Sequence, residues 1–127
     1  MTPLDGLFVL NLSLLAVHEM DAVRRREWRL FVFLNRLEDE TAHRVFLLLH
    51  IPLFWIIFAL VGGFAGIDKT VFQVLVDLFL MVHLALHFFF RSQPAYGFEN
   101  RFSKMIIGGL ALLGALHLVL LTWCGTC

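Results

Sequence analysis

The chain has 127 residues, of which 60% are hydrophobic and 16% are charged, and its net charge is zero because ten Lys and Arg balance ten Asp and Glu. A soluble domain would carry about a quarter charged residues and just under half apolar ones, so this composition excludes an ordinary soluble domain. A net charge of zero also offers nothing that would recruit nucleic acid. The sequence therefore predicts an integral membrane protein that is surrounded by membrane lipid and has no nucleic-acid partner.

Four apolar segments follow one another along the chain. The predicted helices cover about residues 4–23, 44–64, 70–90 and 105–123. Each can cross a hydrocarbon core about 30 Å thick, which takes about 20 helical residues. Helices are expected because backbone polar groups in lipid must be satisfied within the segment. The predicted fold class is all-α, with one transmembrane domain over residues 1–127 that forms a four-helix bundle with short loops.

The basic residues of the loops predict the orientation of the bundle. The first loop holds six arginines and the third holds Arg91, Arg101 and Lys104, whereas the second has only Lys69. Lys and Arg are enriched on the cytoplasmic side of a membrane. Both termini are therefore expected outside. The first twenty residues have no basic residue ahead of the apolar stretch, so they are expected to be a retained span and not a signal peptide.

The first loop has structural signals of its own. Residues 27–34 mix charged and aromatic side chains, which is typical of a segment lying in the membrane interface. Acidic and capping residues then precede the second span, where the positive end of a helix favours them. These are Glu38, Asp39, Glu40 and Thr41.

Polar side chains inside the spans carry the functional argument, since their exposure to lipid is costly. At 100° per residue, Asn11 and His18 of the first span lie within about 20° of each other, and Asp21 lies about 60° further round. The polar side chains of the third span fit within an arc of about 120°; they are Gln73, Asp77, His83 and His87. Each span thus has one polar stripe, which implies an inward target.

The depth of the histidines gives a second test. At 1.5 Å per residue from the cytoplasmic boundary, four of them lie in one layer. The expected depths are about 7 Å for His18, 9 Å for His50, 10 Å for His83 and 5 Å for His87. His117 lies about 18 Å from that boundary and is assigned to a different environment.

Imidazole nitrogens with one or two carboxylate oxygens suit zinc, iron or manganese. The His83-x-x-x-His87 spacing places two ligands on one helical face. We therefore predict a divalent metal site near the cytoplasmic side, with zinc favoured over iron or manganese. The predicted ligands are His18, His50, His83, His87 and Asp21. Glu19 and Asp21 are the candidate catalytic residues; either would be a ligand, a partner that orients a histidine, or a general base.

The polar stripes are also compatible with a role in helix packing alone. The same side chains could form hydrogen bonds and ion pairs between helices, with Arg24 or Arg25 neutralising the acids. Haem ligation is disfavoured, because His83 and His87 lie too close on one helix to flank a macrocycle. The leading hypothesis is a membrane bundle that holds a divalent metal; if it is an enzyme, it would be a metal-dependent hydrolase in which metal-activated water attacks a lipid ester, amide or phosphate. The alternative is a non-catalytic subunit or scaffold with a membrane-protein partner or a second copy, and the sequence does not decide whether the protein is an enzyme.

The C-terminal residues give a third, lesser hypothesis. Cys124-Gly125-Thr126-Cys127 resembles the active-site tetrad of thioredoxin-like proteins, with Thr in place of Pro. Cys124 and Cys127 would lie in the oxidising compartment and exchange disulfides there. That chemistry needs a fold that lowers the pKa of one thiol, and the chain has no further cysteine for a relay. A frayed tail or a small disulfide ring is the alternative.

Several motifs resemble a group of small, uncharacterised bacterial four-span proteins known as a domain of unknown function. The most specific is the run from His18 to Arg29, HEMDAVRRREWR; the others are HIPL at 50–53, the third span with His83-x-x-x-His87, and Arg91-x-x-Pro94-x-Tyr96-x-Phe98. The resemblance implies a multi-pass protein of the bacterial inner membrane. A looser chemical likeness exists to seven-span membrane hydrolases of the alkaline ceramidase kind, which use intramembrane histidines and an aspartate around zinc.

Overall fold

The computed structural model describes residues 2–63, 66 and 68–125. Helix α1 spans Pro3–Arg24, α2 spans Asp39–Val61, α3 spans Lys69–Phe90 and α4 spans Arg101–Gly125, and a short 3-10 helix η1 covers Glu27–Leu30. All four long helices are long and apolar enough to cross a membrane. No strand occurs in the described part of the chain, so the all-α fold class is confirmed.

Two helices begin earlier than the apolar segments do. Helix α2 starts at Asp39 because Glu38 precedes it as the N-cap, accepting hydrogen bonds from the Glu40 amide at 3.4 Å and the Thr41 hydroxyl at 3.1 Å. Helix α4 starts at Arg101, after the Asn100 side chain accepts a bond from the Ser103 amide at 2.9 Å. Hydropathy locates the apolar part of a helix, whereas capping groups determine its first residue.

Side-chain hydrogen bonds connect the N-terminal ends of helices α1 and α3. Thr2 and Asp5 form a capping box at the start of α1, and the other Asp5 oxygen accepts hydrogen bonds from Gln73 at 3.2 Å and Lys69 at 2.5 Å. Asp68 caps α3 by accepting from the amides of the second and third residues after it. Because both N-terminal ends meet, α1 and α3 run in the same direction through the bundle.

Helix α4 packs between α1 and α3. The middle of this packing is an apolar layer formed by Leu15, Leu80 and Leu110, each at most 3% exposed. Gly109 allows close approach, since a Cβ there would lie 3.2 Å from a methyl carbon of Leu14. Gly114 likewise faces the backbone of Asp77 on α3.

Helix α2 stands at the side of this three-helix core. Only 6% of its apolar window is buried inside the bundle, against 28–33% for the other three helices. Most of its side-chain surface is therefore left for lipid.

The connecting segments build a second apolar cluster at the end of the bundle where α1 ends and α4 begins. It contains Ala22, Trp28, Leu30, Leu34, Ala42, Phe46, Phe98 and Ile107. The indole of Trp28 and the guanidinium of Arg29 both donate to Oδ1 of Asp39, at 3.2 and 2.9 Å. Half of the side chains of segment 27–34 are buried in the bundle, whereas Phe31, Val32 and Phe33 are exposed; the place of this segment in the membrane interface stays a prediction.

Candidate metal centre

Three histidines from two helices converge on one point. The Nε2 atom of His83 on α3 lies 2.8 Å from Nε2 of His18 on α1 and 3.1 Å from Nε2 of His87, one turn along α3. His18 is fully buried and His87 is 4% exposed. The helical spacing of His83 and His87 and the depth of His18 bring the three rings together, as the sequence predicted for these residues.

A two-centre hydrogen bond among these rings can pair only two of the three nitrogens. A ring nitrogen carries either one hydrogen or one lone pair in the ring plane. A single hydrogen between His18 and His83 uses that position on both rings, so Nε2 of His87, 3.1 Å from Nε2 of His83, faces an atom whose position is already taken. A cation at the meeting point would instead accept one lone pair from each ring.

Glu27 adds a carboxylate to the three imidazoles. Its Oε1 lies 3.8 Å from Nε2 of His87, and one ligand atom from each of the four residues lies within 4.8 Å of all the others. With metal–nitrogen bonds of about 2.1 Å, the ligands of a tetrahedral zinc ion stand about 3.4 Å apart. The separations of 2.8, 3.1 and 3.8 Å bracket that value. The group His18, Glu27, His83 and His87 could therefore hold a metal ion.

Glu27 is placed by the turn that ends α1. Arg26 adopts a left-handed backbone conformation, with φ at 56°, and this reverses the chain so that η1 folds back under the helix. Glu27, the first residue of η1, is 8% exposed. Burial, together with the nearby carboxyls of Glu19 and Asp21, raises the pKa of its carboxyl to about 8. A bound cation would favour the ionised form of this buried carboxyl.

Aromatic rings hold the imidazoles in place. Phe98, from the loop before α4, packs with its ring centroid 4.7 Å from His87 and 5.8 Å from His18, and Tyr96 lies 5.9 Å from His87. Metal-bound histidines generally donate their second ring nitrogen to an oxygen. Among the described residues, Nδ1 of His18 and of His87 have no such partner. Ring packing, not hydrogen bonding, therefore orients these two rings.

His50 and Glu19, both predicted at the site, form a separate pair. Nε2 of His50 lies 2.8 Å from Oε2 of Glu19, and its Nδ1 lies 2.7 Å from the carbonyl oxygen of Phe46. Both ring nitrogens are thus engaged, and His50 does not join the four-residue group.

Asp21, predicted as a ligand and a catalytic group, also faces other partners. One carboxylate oxygen accepts from Nε of Arg25 at 3.2 Å, and the other accepts a hydrogen bond from the fully buried hydroxyl of Ser103. The structure does not place Asp21 in the four-residue group. Arg25 pairs with Asp21 at the end of α1 itself, and Ser103 on α4 supplies the contact between helices, which fits the packing role that was the alternative for this acid.

A cavity of about 320 Å³ opens beside the metal centre. Its polar residues are Glu19, Glu27, His50, His83 and His87. The rest of its lining is apolar and comes from residues 30–34, α2 and α3. The metal centre and the Glu19–His50 pair therefore share one space that is otherwise hydrocarbon-like.

A second buried polar group lies deeper in the bundle. Nδ1 of His117 on α4 is 2.6 Å from Oδ2 of Asp77 on α3, and both residues are fully buried. Asn11 on α1 donates to the carbonyl oxygen of Leu110 at 3.2 Å. His117 thus lies apart from the metal centre, as expected from its depth, and Asp77 of the third-span stripe lies with it.

The C-terminal cysteines were predicted as a lesser, redox-active pair. Cys127 lies outside the described residues, and of Cys124 only the helical backbone is described. Their redox role stays a prediction from the sequence.

Glu27 is the one member of the four-residue group that was not predicted from the sequence. Its place among charged and aromatic residues suggested a surface segment, yet it lies three residues beyond the end of α1 and nine beyond His18. The sequence did contain one signal for Glu27: it is an acidic residue just after the end of a helix that carries an inward-facing histidine.

Comparison with known proteins gives one match. The family described as "Family of unknown function (DUF6713)" matches residues 4–123, nearly the whole chain. No curated protein and no solved structure matches the chain.

Proposed function

This chain belongs to the DUF6713 family, and we propose that it binds a divalent metal ion, with zinc favoured over iron or manganese, as a metal-dependent hydrolase acting within a membrane. The observation that carries the proposal is the meeting of three Nε2 atoms, of which that of His83 lies within hydrogen-bonding distance of the other two. A two-centre hydrogen bond pairs only two of these atoms, whereas one cation can bind all three.

The donor set favours zinc. Three imidazoles form the protein part of several catalytic zinc sites, in which a water molecule takes the fourth position. In our proposal His18, His83 and His87 would hold the ion, and Glu27 would accept a hydrogen bond from a water molecule beside it. A zinc ion there would supply a water nucleophile near neutral pH, because zinc lowers the pKa of a bound water to about 7.

The position of the site favours a substrate that comes from lipid. The cavity beside the metal centre has mainly apolar walls, and all four helices can cross a membrane. The proposed setting is the inner membrane of a bacterium, with both termini outside and the metal centre near the cytoplasmic face.

Elemental analysis of the purified, tag-free protein tests the metal assignment. We expect about one zinc, iron or manganese ion per chain. His83→Gln and His18→Gln should each lose most of this metal while the bundle stays folded by circular dichroism. His43→Gln is the matched control, because His43 packs against Trp28 outside the four-residue group and should keep the metal.

Two results would contradict the proposal. Metal-free protein after gentle purification would turn the histidines into interhelical packing residues. Full metal occupancy in His83→Gln would show that the ion binds somewhere other than these three histidines. Metal-free protein would favour the rival function, a non-catalytic subunit that co-purifies with a larger membrane complex.

A further inference from the structure

The cavity beside the metal centre is built for a ligand of a particular shape and charge. We infer that it binds the hydrocarbon chain of a fatty-acyl ester from the membrane and places the ester carbonyl at the metal centre. This inference rests on the proposed function and names its substrate class. Three observations carry it.

The first observation is the position of the cavity opening. Leu49 on α2 and Phe79 and Leu86 on α3 line the cavity and are 49%, 47% and 45% exposed. On helices that cross a membrane, exposed apolar side chains of this kind face lipid. The opening between α2 and α3 therefore faces the bilayer, and a lipid chain can enter sideways.

The second observation is the division of the cavity into an apolar part and a polar part. Ligand sites are generally apolar with a few polar groups that fix orientation, and their volumes begin at about 300 Å³. Here the volume is about 320 Å³, which suits one chain and not several. The polar groups are the metal centre and the Glu19–His50 pair, so the reactive group of the ligand lies there.

The third observation is the set of side chains at the polar end. Nε2 of His50 lies 2.8 Å from Oε2 of Glu19, and its Nδ1 lies 2.7 Å from the carbonyl oxygen of Phe46. Both ring nitrogens of His50 are therefore taken up by protein oxygens, and this imidazole is not free to bind an anionic head group.

These side chains disfavour an anionic head group. Among the described residues that line the cavity there is no Lys or Arg, while two are glutamates. Apart from the metal ion itself, an anionic phosphate head would thus find no cationic partner, and it would face two carboxyl groups. A neutral ester offers a carbonyl oxygen to the metal ion without adding charge.

Photolabelling tests the inference. The probe is a long-chain fatty-acyl methyl ester with a diazirine in its chain, added to the metal-loaded protein in lipid nanodiscs. We expect labels on cavity residues of α2 and α3. Excess unlabelled ester should suppress them, whereas an alkyl phosphate of the same chain length should not. Suppression by the phosphate alone would overturn the ester assignment.

Matched variants locate the chain in the cavity. Leu86→Trp should fill the cavity and abolish labelling, and Leu53→Trp should do the same from the α2 wall. Leu78→Trp is the control, because Leu78 is 44% exposed on α3, close to the 45% of Leu86, but does not line the cavity. Equal labelling of the wild type and the two cavity variants would overturn the inference.

Metal content separates this failure from failure of the proposed function. Metal-loaded protein whose labels are spread evenly over lipid-facing positions would overturn the ester site and leave the metal centre standing. Metal-free wild-type protein would overturn the metal centre and with it the placement of the carbonyl, even if Leu86→Trp still blocked labelling of the apolar walls.

Discussion

The histidines of this bundle differ in the partners of their individual ring nitrogens. Those of His18, His83 and His87 face one another, whereas both nitrogens of His50 already have oxygen partners. Sequence spacing placed all four in one layer but could not tell which atom of each ring faces inward. That choice depends on side-chain rotamers, which helical angle and depth do not determine.

His50→Gln is expected to keep the metal, in contrast to His83→Gln. The glutamine amide can still donate to Glu19, so the contact between α1 and α2 is kept. Elemental analysis of the two variants side by side is the measurement. Loss of metal in both would return His50 to the ligand set that the sequence suggested.

Ser103→Ala should lower the free energy of unfolding by about 1–3 kcal/mol, because it leaves a carboxylate oxygen of the buried Asp21 without its donor. Ser13→Ala is the control, since the exposed Ser13 hydroxyl only donates back to a carbonyl of its own helix. Denaturation in mixed micelles measures both. Equal stability of the two variants would contradict the importance of the Ser103–Asp21 bond.

The Asp77–His117 pair could have been predicted from the sequence. Asp77 lies thirteen residues before the end of α3, which puts it about 20 Å from the cytoplasmic boundary, close to the value of about 18 Å for His117. The comparison of depths along the sequence considered only histidines and therefore omitted the carboxylate of Asp77. The 2.6 Å contact shows that a shared depth can also identify a carboxylate–histidine pair.

Among the elements, the short helix η1 decides whether the four-residue group is complete, because it carries Glu27. It was not predictable as a helix, because four residues with mixed charge carry no helical period. Its position depends on Asp39, which accepts hydrogen bonds from Trp28 and Arg29. The four long helices, by contrast, follow from length and hydropathy alone.

Asp39→Asn should weaken metal binding on the order of tenfold, as loss of an outer partner of a metal site generally does. The amide loses the ion pair with Arg29, so η1 and Glu27 are held less firmly. Titration with a competing chelator measures the affinity. The control is Glu40→Gln, which breaks the exposed pair with Arg44 one residue further on. An equal affinity in the two variants would show that Asp39 does not position Glu27.

For the whole molecule, the basic residues of the loops predict on which side of the membrane each loop lies. The helices alone do not determine this orientation. Both ends of α3 carry exposed small polar residues, Thr70 at one end and Ser92 just beyond the other. They allow a paired test of the side on which each loop lies.

Thr70→Cys should react with a membrane-impermeant maleimide added to intact cells, and Ser92→Cys should react only after lysis. Cys124 and Cys127 are first replaced by Ser in both variants. The expected difference follows from the excess of basic residues in the first and third loops. The reverse pattern would place the metal centre near the opposite face.

The small buried share of α2 has a consequence for how the bundle responds to its surroundings. A helix that is mainly solvated by lipid adjusts its tilt when bilayer thickness changes, at a cost of only fractions of a kcal/mol per Å of mismatch. Helix α2 also forms one wall of the cavity, while α1, α3 and α4 are held together by their own buried layer. Bilayer thickness should therefore set the width of the cavity opening, so that the length of the surrounding lipid chains regulates access to the metal centre.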